Sequence, residues 1–365
     1  MLSEHYRGML QNKSVIREMC AWGAARAAQI GKENVFDYSL GNPSVPVPQA
    51  FTDEMIHLLQ TQPPVALHGY SPVLGIQSVR QAVADSLKKR FGLPYEARHI
   101  FMTTGAADFV DTGTWSSKAM KEARLFGEVR VAAQSKDTKY DHIPAFDTWK
   151  LSEDASYVHI TSNNTIYGTQ YQDFPTTKAP LIADMSSDIM SRKVDVSKFG
   201  MIYAGAQKNL GPSGLALVII RKDLVGRTPE KVPTMLKYST YTENNSLYNT
   251  PPTFGIYMIG LVTDWIREVG GLEAVEKMND AKAALLYQAI DESNGYYSTP
   301  VKKCSRSKMN VVFRLPTEEL EAKFLEVVKA NGMIGLKGHR SVGGMRASIY
   351  NAMPLEGVEK LVEFM

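Results

Sequence analysis

The chain has 365 residues, 44% hydrophobic and 22% charged, an average globular make-up with room for two ordinary domains and a large core. A net charge of +3 excludes the strongly basic surface that nucleic acid or an anionic membrane calls for. Two cysteines, Cys20 and Cys304, give neither a disulfide framework nor a metal-binding spacing, so a reducing, cytoplasmic setting without a metal is expected.

The N-terminal MLSEHYRGML is polar, without the apolar stretch of a signal peptide, and the longest apolar runs, such as LALVIIR at 215–221, are far short of a membrane span. Residues 14–30 are Ala-rich with helical spacing, and VFDYSLGNPSVPVP at 35–48 reads as a short strand entering a Pro-rich loop. Ile76, Val79, Val83 and Leu87 mark an amphipathic helix. Seven short apolar runs follow: IFMTT, DFVDT, EVRVAA, YVHI, PLIADM, GMIYAG and LALVII, most of them separated by helical or loop segments. That alternation predicts an α/β fold with a mostly parallel sheet covered by helices. From about Thr253 the pattern changes. FGIYMIGLVTDWIREV predicts a long helix stopped by Gly270 and Gly271, and a second helix ends at Gly295. MNVVFRL, a helix in EELEAKFLEVVKANG, GMRASIY and a last short helix predict a small α+β domain. The expected division is 1–107, 108–255 and 256–365.

PLIADMSSDIMSR and MIYAGAQKNLGPSG carry the chemistry. Asp184 ends one apolar strand, and Lys208 lies in a Gly-flanked turn beyond another. Open α/β sheets bind ligands at the carboxyl ends of their strands. A lysine there can form a Schiff base with an aldehyde, and an acid can hold a pyridine nitrogen protonated, a combination that suits pyridoxal phosphate. Alone, a lysine in a turn is more often a solvated surface group.

Longer motifs decide between these readings. DTGTWSSKA, NNTIYGTQ, ADMSSDIMSR, YAGAQKNLGPSG, ENNSLYNTPPTFGIY and GLKGHRSVGGMRASIYNAMPLEGVE make residues 109–365 resemble the phosphoserine aminotransferases, class V enzymes of fold type I. The resemblance implies a pyridoxal-phosphate site. In it Lys208 would be the Schiff-base lysine and proton shuttle, Asp184 would pair with the pyridine nitrogen, and Trp115 would stack on the ring. Thr165 would bond the O3′ side and Gln207 the cofactor phosphate. Asn249 and Thr250 would reach that phosphate from the partner subunit of a homodimer. Arg346 would hold the substrate α-carboxylate, and His339 and Arg340 the substrate phosphate. Arg suits both anions because its planar fork donates twice. The implied substrates are glutamate and a phosphorylated keto acid, in serine biosynthesis and also in vitamin B6 (pyridoxine) biosynthesis.

Residues 1–107 depart from that pattern. SLGNPSVPVP, LHGYSPVLGIQSVRQAVADSLKKRFG and IFMTTGAA resemble the class I, aspartate-type aminotransferases instead, so the chain looks like a hybrid of two relatives with one fold. By that resemblance Gly41 would lie near the substrate carboxylate, Tyr70 would reach the partner's cofactor phosphate, and Gly105, Ala106 and Ala107 would form the phosphate turn. The first large-domain helix, whose N-terminus holds the phosphate in both families, is expected to be missing. Four residues reach about 14 Å, whereas five strand spacings span ~24 Å. IFMTT and DFVDT are therefore expected to be displaced, merged or paired as a hairpin. The phosphoserine family's N-terminal His-Arg pair has no equivalent here, which implies weaker phosphate selectivity. An impaired or non-catalytic chain and a class I-like aspartate or aromatic aminotransferase are the alternatives.

Overall fold

The computed structural model describes residues 15–31, 34–37, 49–61, 101–102, 109–125, 128–228 and 232–365. The helix expected around Ile76–Leu87, the missing-helix segment and the phosphate turn lie outside these residues. The N-terminal part contributes α1 (Val15–Ile30), β1 (Phe36–Asp37), α2 (Gln49–Thr61) and β2 (Phe101–Met102).

The central sheet has five strands in the order β2-β8-β7-β6-β3, with β3 at Val158–Thr161, β6 at Leu181–Asp184, β7 at Met201–Gly205 and β8 at Ala216–Ile220. β3, β6 and β7 run parallel, and β8 is antiparallel to both β7 and β2. YVHI, PLIADM, GMIYAG and LALVII are continuous apolar runs because both faces of these strands are covered. Val158, Ile160, Leu181, Ala183, Ile202, Ala204, Leu217 and Ile219 enter the main core. A small β-pair, β4 (Asn163–Asn164) with β5 (Thr169–Gln170), extends beyond β3.

Two of the expected strands are corrected. Among the described residues DFVDT and EVRVAA form no regular strand; Asp111 makes an isolated bridge with Gln134, the residue after EVRVAA, and its N–H bonds the Ala133 carbonyl at 3.1 Å. Phe109 has a φ of 151°, which an L-residue adopts at a cost, and residues 128–131 are largely exposed, with no strand paired to them among the described residues. The expected merger or hairpin is also corrected. β2 pairs with β8 at one edge, whereas the Val110 N–H bonds the His159 carbonyl of β3 at the opposite edge. Met102 and Val110, which sit at these two edges, are eight residue steps apart in the sequence, ~26 Å fully extended.

Helix α3 (Thr114–Ala123) follows, and its first turn is held by Ser116 Oγ, which accepts from the Gly113 N–H at 3.0 Å. After the short helices α4 (Lys222–Val225) and α5 (Tyr238–Glu243), the long helices α6 (Thr253–Glu268) and α7 (Leu272–Glu292) meet at Gly270 and Gly271, whose φ values are 105° and 82°. Only glycine takes two such values in succession without strain. The C-terminal part packs β9 (Asn310–Phe313) antiparallel to β11 (Met345–Ser348), with α8 (Glu318–Ala330) and α9 (Leu355–Glu363) around a second core of Leu286, Phe313, Val328, Met345 and Val358. β1 pairs with β10 (Met333–Ile334), and Arg26 of α1 donates to the Ala330 carbonyl at 2.8 Å, so the start of the chain docks on this C-terminal part. Among the described residues no helix is long and apolar enough to cross a membrane.

Candidate active site

The carboxyl ends of β3, β6 and β7 lie side by side, with Thr161 opposite Asp184 and Asp184 opposite Tyr203. The chain after β6 turns sharply. Asp184 Oδ1 accepts the Ser186 N–H at 2.8 Å, and Ser186 Oγ accepts the Gly205 N–H at 3.0 Å, tying the end of β6 to the end of β7. Burial pushes the Asp184 carboxyl above its ordinary range; the Ser186 hydrogen bonds oppose this and Asp188 adds to it. Among the described residues Asp184 has no cationic partner.

Lys208 lies two residues into the turn after β7, which is closed by the Gly211 N–H bonding the Ala206 carbonyl at 2.9 Å. Its Nζ meets the Tyr350 hydroxyl at 3.0 Å. Gln207 is exposed and folds over Gly205, where an added Cβ would come within 2.6 Å of Gln207 Oε1.

The opposite wall comes from β11 and the loop before it. Arg346 donates to the Thr165 carbonyl at 3.4 Å, and its Nε is buried with no hydrogen-bond partner. Burial lowers its pKa and Tyr350 counters that. An unpaired buried donor on a guanidinium is what an incoming carboxylate satisfies. His339 and Arg340 sit in a tight loop where a Cβ on Gly338 would lie 2.0 Å from the Gly343 carbonyl oxygen. Arg314 donates to the Val342 carbonyl of the same loop. His339 Nδ1 accepts the Ser341 N–H at 3.3 Å. Burial lowers the imidazole pKa, and the cations Arg346, Arg340 and Lys118 lower it further. Four basic side chains therefore share one neighbourhood suited to an anion. Trp115 opens onto solvent at 45% exposure, with Lys118 Nζ 4.8 Å from its ring.

The structure sets Arg346 beside Thr165 and close to His339, which Arg340 and Lys118 also neighbour, and it places Asp184 and the turn carrying Lys208 at the ends of the paired strands β6 and β7, with Tyr350 touching Lys208. Asn249 and Thr250 are exposed and bonded only to each other, at 3.3 Å, among the described residues. Gly41, Tyr70, Gly105, Ala106 and Ala107 lie outside the described residues. Sequence reasoning missed Ser186, Arg314, Asn310 and Tyr350. Tyr350 stands four positions after Arg346 in an apolar run, where a tyrosine reads as core. The residues present fit pyridoxal phosphate: a buried acid lacking a cation, a lysine one strand away, an open indole and an unpaired guanidinium donor.

These features define a fold type I aminotransferase of class V. The family model described as aminotransferase class-V matches residues 94–361. The phosphoserine aminotransferase of Lysinibacillus sphaericus (strain C3-41) is 54% identical over 297 residues, covering 76% of this chain and 82% of that protein. The solved phosphoserine aminotransferase from Bacillus circulans subsp. alkalophilus superposes with a TM-score of 0.82 at 43% identity, over 90% of this chain and 96% of that one. The PLP-bound phosphoserine aminotransferase from Trichomonas vaginalis gives 0.75 at 34% identity, over 90% and 98%. The chain belongs to the phosphoserine aminotransferase family.

Proposed function

We propose that the chain catalyses pyridoxal-phosphate-dependent transamination, converting O-phosphoserine and 2-oxoglutarate reversibly to 3-phosphohydroxypyruvate and glutamate, in serine biosynthesis. The observation that carries this is that Asp184 ends β6 and Lys208 follows the neighbouring β7, while Tyr350 joins Lys208 to the strand that carries Arg346 and its unpaired Nε. The cofactor, when bound, supplies an electron sink next to the carbon that gains or loses the amino group. Lys208 Nζ anchors it and carries the proton to and from that carbon. Asp184, lifted by burial, becomes a stable carboxylate when a pyridinium nitrogen supplies the missing positive charge. Arg346 receives the α-carboxylate, and the His339–Arg340 loop receives the substrate phosphate. Trp115 would cover one ring face, Thr165 would serve the O3′ side and Gln207 would take the cofactor phosphate. The class I-like and non-catalytic readings are set aside, since the lysine, acid and arginine all sit in the phosphoserine family's motifs.

The same reading includes a homodimer in which Asn249 and Thr250 serve the partner's phosphate site; their exposure and that of nearby Tyr248 and Phe254 support it. It places the hybrid junction near residue 107, with Gly105, Ala106 and Ala107 as the class I-type phosphate turn. The separate cores support a large unit at 108–255 and a small one at 256–365. A cytoplasmic setting is supported by the free, exposed Cys304.

The test is direct. Pyridoxal phosphate added to the purified chain should give the yellow absorbance of a lysine-bound cofactor, and borohydride should fix the label on Lys208. Glutamate should then bleach the colour, and 3-phosphohydroxypyruvate should restore it faster than its unphosphorylated analogue. No colour, or a label elsewhere, overturns the proposal.

A further inference from the structure

Tyr350 lies two residues past the end of β11 and is 6% exposed. Its hydroxyl is 3.0 Å from Lys208 Nζ, and the same nitrogen lies 4.9 Å from the centre of its ring. The phenol is fixed from several sides. Asn310 Nδ2 on β9 donates to its oxygen at 3.1 Å, and Asn163 Nδ2 donates to Asn310 Oδ1 at 2.8 Å. Behind it, Lys282 Nζ donates to the carbonyls of Ile349, Tyr350 and Met353 at 3.2, 2.8 and 3.0 Å. One residue on, the Asn351 N–H donates to Asn209 Oδ1 at 3.1 Å, which ties this segment to the neighbour of Lys208. A buried hydroxyl with this much support is held for its position.

The chemistry of the partner matters. A free lysine side chain carries about 2 kcal/mol of rotamer entropy, so an unrestrained amine spends little time where it is needed. A carboxylate would restrain it but would also hold it as an ammonium, unable to accept a proton. A phenol hydroxyl accepts from the ammonium and donates to the neutral amine, so it restrains both forms. Among the described residues Lys208 Nζ has no carboxylate partner.

We propose that Tyr350 is a positioning residue for transamination, whose hydroxyl docks the Lys208 ε-amine whenever that amine is free. This rests on the reading of Lys208 as the cofactor lysine. In the cofactor-free chain the docked amine is shielded; in the working enzyme it is kept within reach of the carbon between its proton transfers.

The test uses Tyr350→Phe, which keeps the ring and removes the oxygen. In the cofactor-free chain, carbamylation of Lys208 by cyanate, followed by mass spectrometry, should be several-fold faster in Y350F, while exposed lysines react at the wild-type rate. In the holoenzyme kcat should fall about tenfold, with KM for glutamate within about twofold. A wild-type measurement guards against misfolding of the variant. With lysine ε-carbons labelled by 13C, the Lys208 methylene, assigned by its loss in Lys208→Arg, should be displaced from the common position of the exposed lysines. An unshifted methylene, or equal cyanate rates in a folded Y350F, overturns the proposal. Failure of cofactor to attach at Lys208 would instead overturn the reading of the site.

Discussion

Lys282→Met exchanges a buried amine for an apolar side chain of similar length. Lys282 is 1% exposed, and its three acceptors are backbone carbonyls at 2.8–3.2 Å with no acid in contact. The Tyr350 carbonyl keeps a second donor, the Met353 N–H at 2.9 Å, so at most two carbonyls lose their donor. At about 1–3 kcal/mol for each unpaired acceptor, the variant should lose about 2–6 kcal/mol, less what is recovered by no longer burying an amine. That recovery depends on pH. Burial pulls Lys282 from 10.5 down to about 7, so between these values the unfolded chain holds a proton that the folded chain lacks. The lysine's contribution to stability is therefore full above about pH 10.5, declines as pH falls and is lost through about 7. Urea unfolding of both chains from pH 7 to 9.5 should show their stability gap widening with pH, by up to about 1.4 kcal/mol per unit. The three carbonyls oppose burial, since they match the three protons of an ammonium. A gap that stays constant over this range would show that they prevail and would refute the neutral amine. Equal stability at every pH would refute the acceptor count.

Arg346→Lys should raise KM for glutamate about 10- to 100-fold with a smaller change in kcat, because a point charge replaces a bidentate fork; steady-state kinetics reads this. Asp184→Asn should still attach cofactor at Lys208, yet slow the glutamate half-reaction by roughly 100-fold, as followed by stopped-flow bleaching. Gly338→Ala puts a Cβ 2.0 Å from the Gly343 carbonyl oxygen, so the loop must shift. It should cost about 1–3 kcal/mol and remove most of the preference for phosphorylated over unphosphorylated keto acid in competition assays.

The parts of the fold that were legible in the sequence are those where local pattern and burial agree. PLIADM, GMIYAG and LALVII are mostly apolar because their strands are largely buried, and Gly270–Gly271 mark the joint between α6 and α7, where both φ values are positive. EVRVAA has the same local look, but a strand needs a partner, and among the described residues only its last two carbonyls, of Ala132 and Ala133, accept backbone bonds, from Lys150 and Asp111. At the site, Lys208, Asp184 and Arg346 were legible through long motifs. Tyr350, Asn310 and Arg314 were not, because what sets them apart is a contact across the fold. Tyr350 meets a residue 142 positions away, and Arg314 supports a loop 28 positions on.

The site is assembled between two cores, and a run of buried amides determines how they meet. Asn163 at the end of the large sheet bonds Asn310 on β9, Asn209 beside Lys208 accepts from Asn351 after β11, and Asn279 of α7 donates to Asn351 Oδ1 at 2.9 Å. An apolar seam of the same area would permit sliding, since hydrophobic contact is non-directional. Paired amides permit one register, because a slip leaves buried donors and acceptors unmet at about 1–3 kcal/mol each. That register is what sets Arg346 against Thr165 and Tyr350 against Lys208. Loosening one amide, for instance by Asn310→Ala, should therefore reduce the chemistry at Lys208 and carboxylate binding at Arg346 together, although Asn310 contacts neither side chain directly in the described structure.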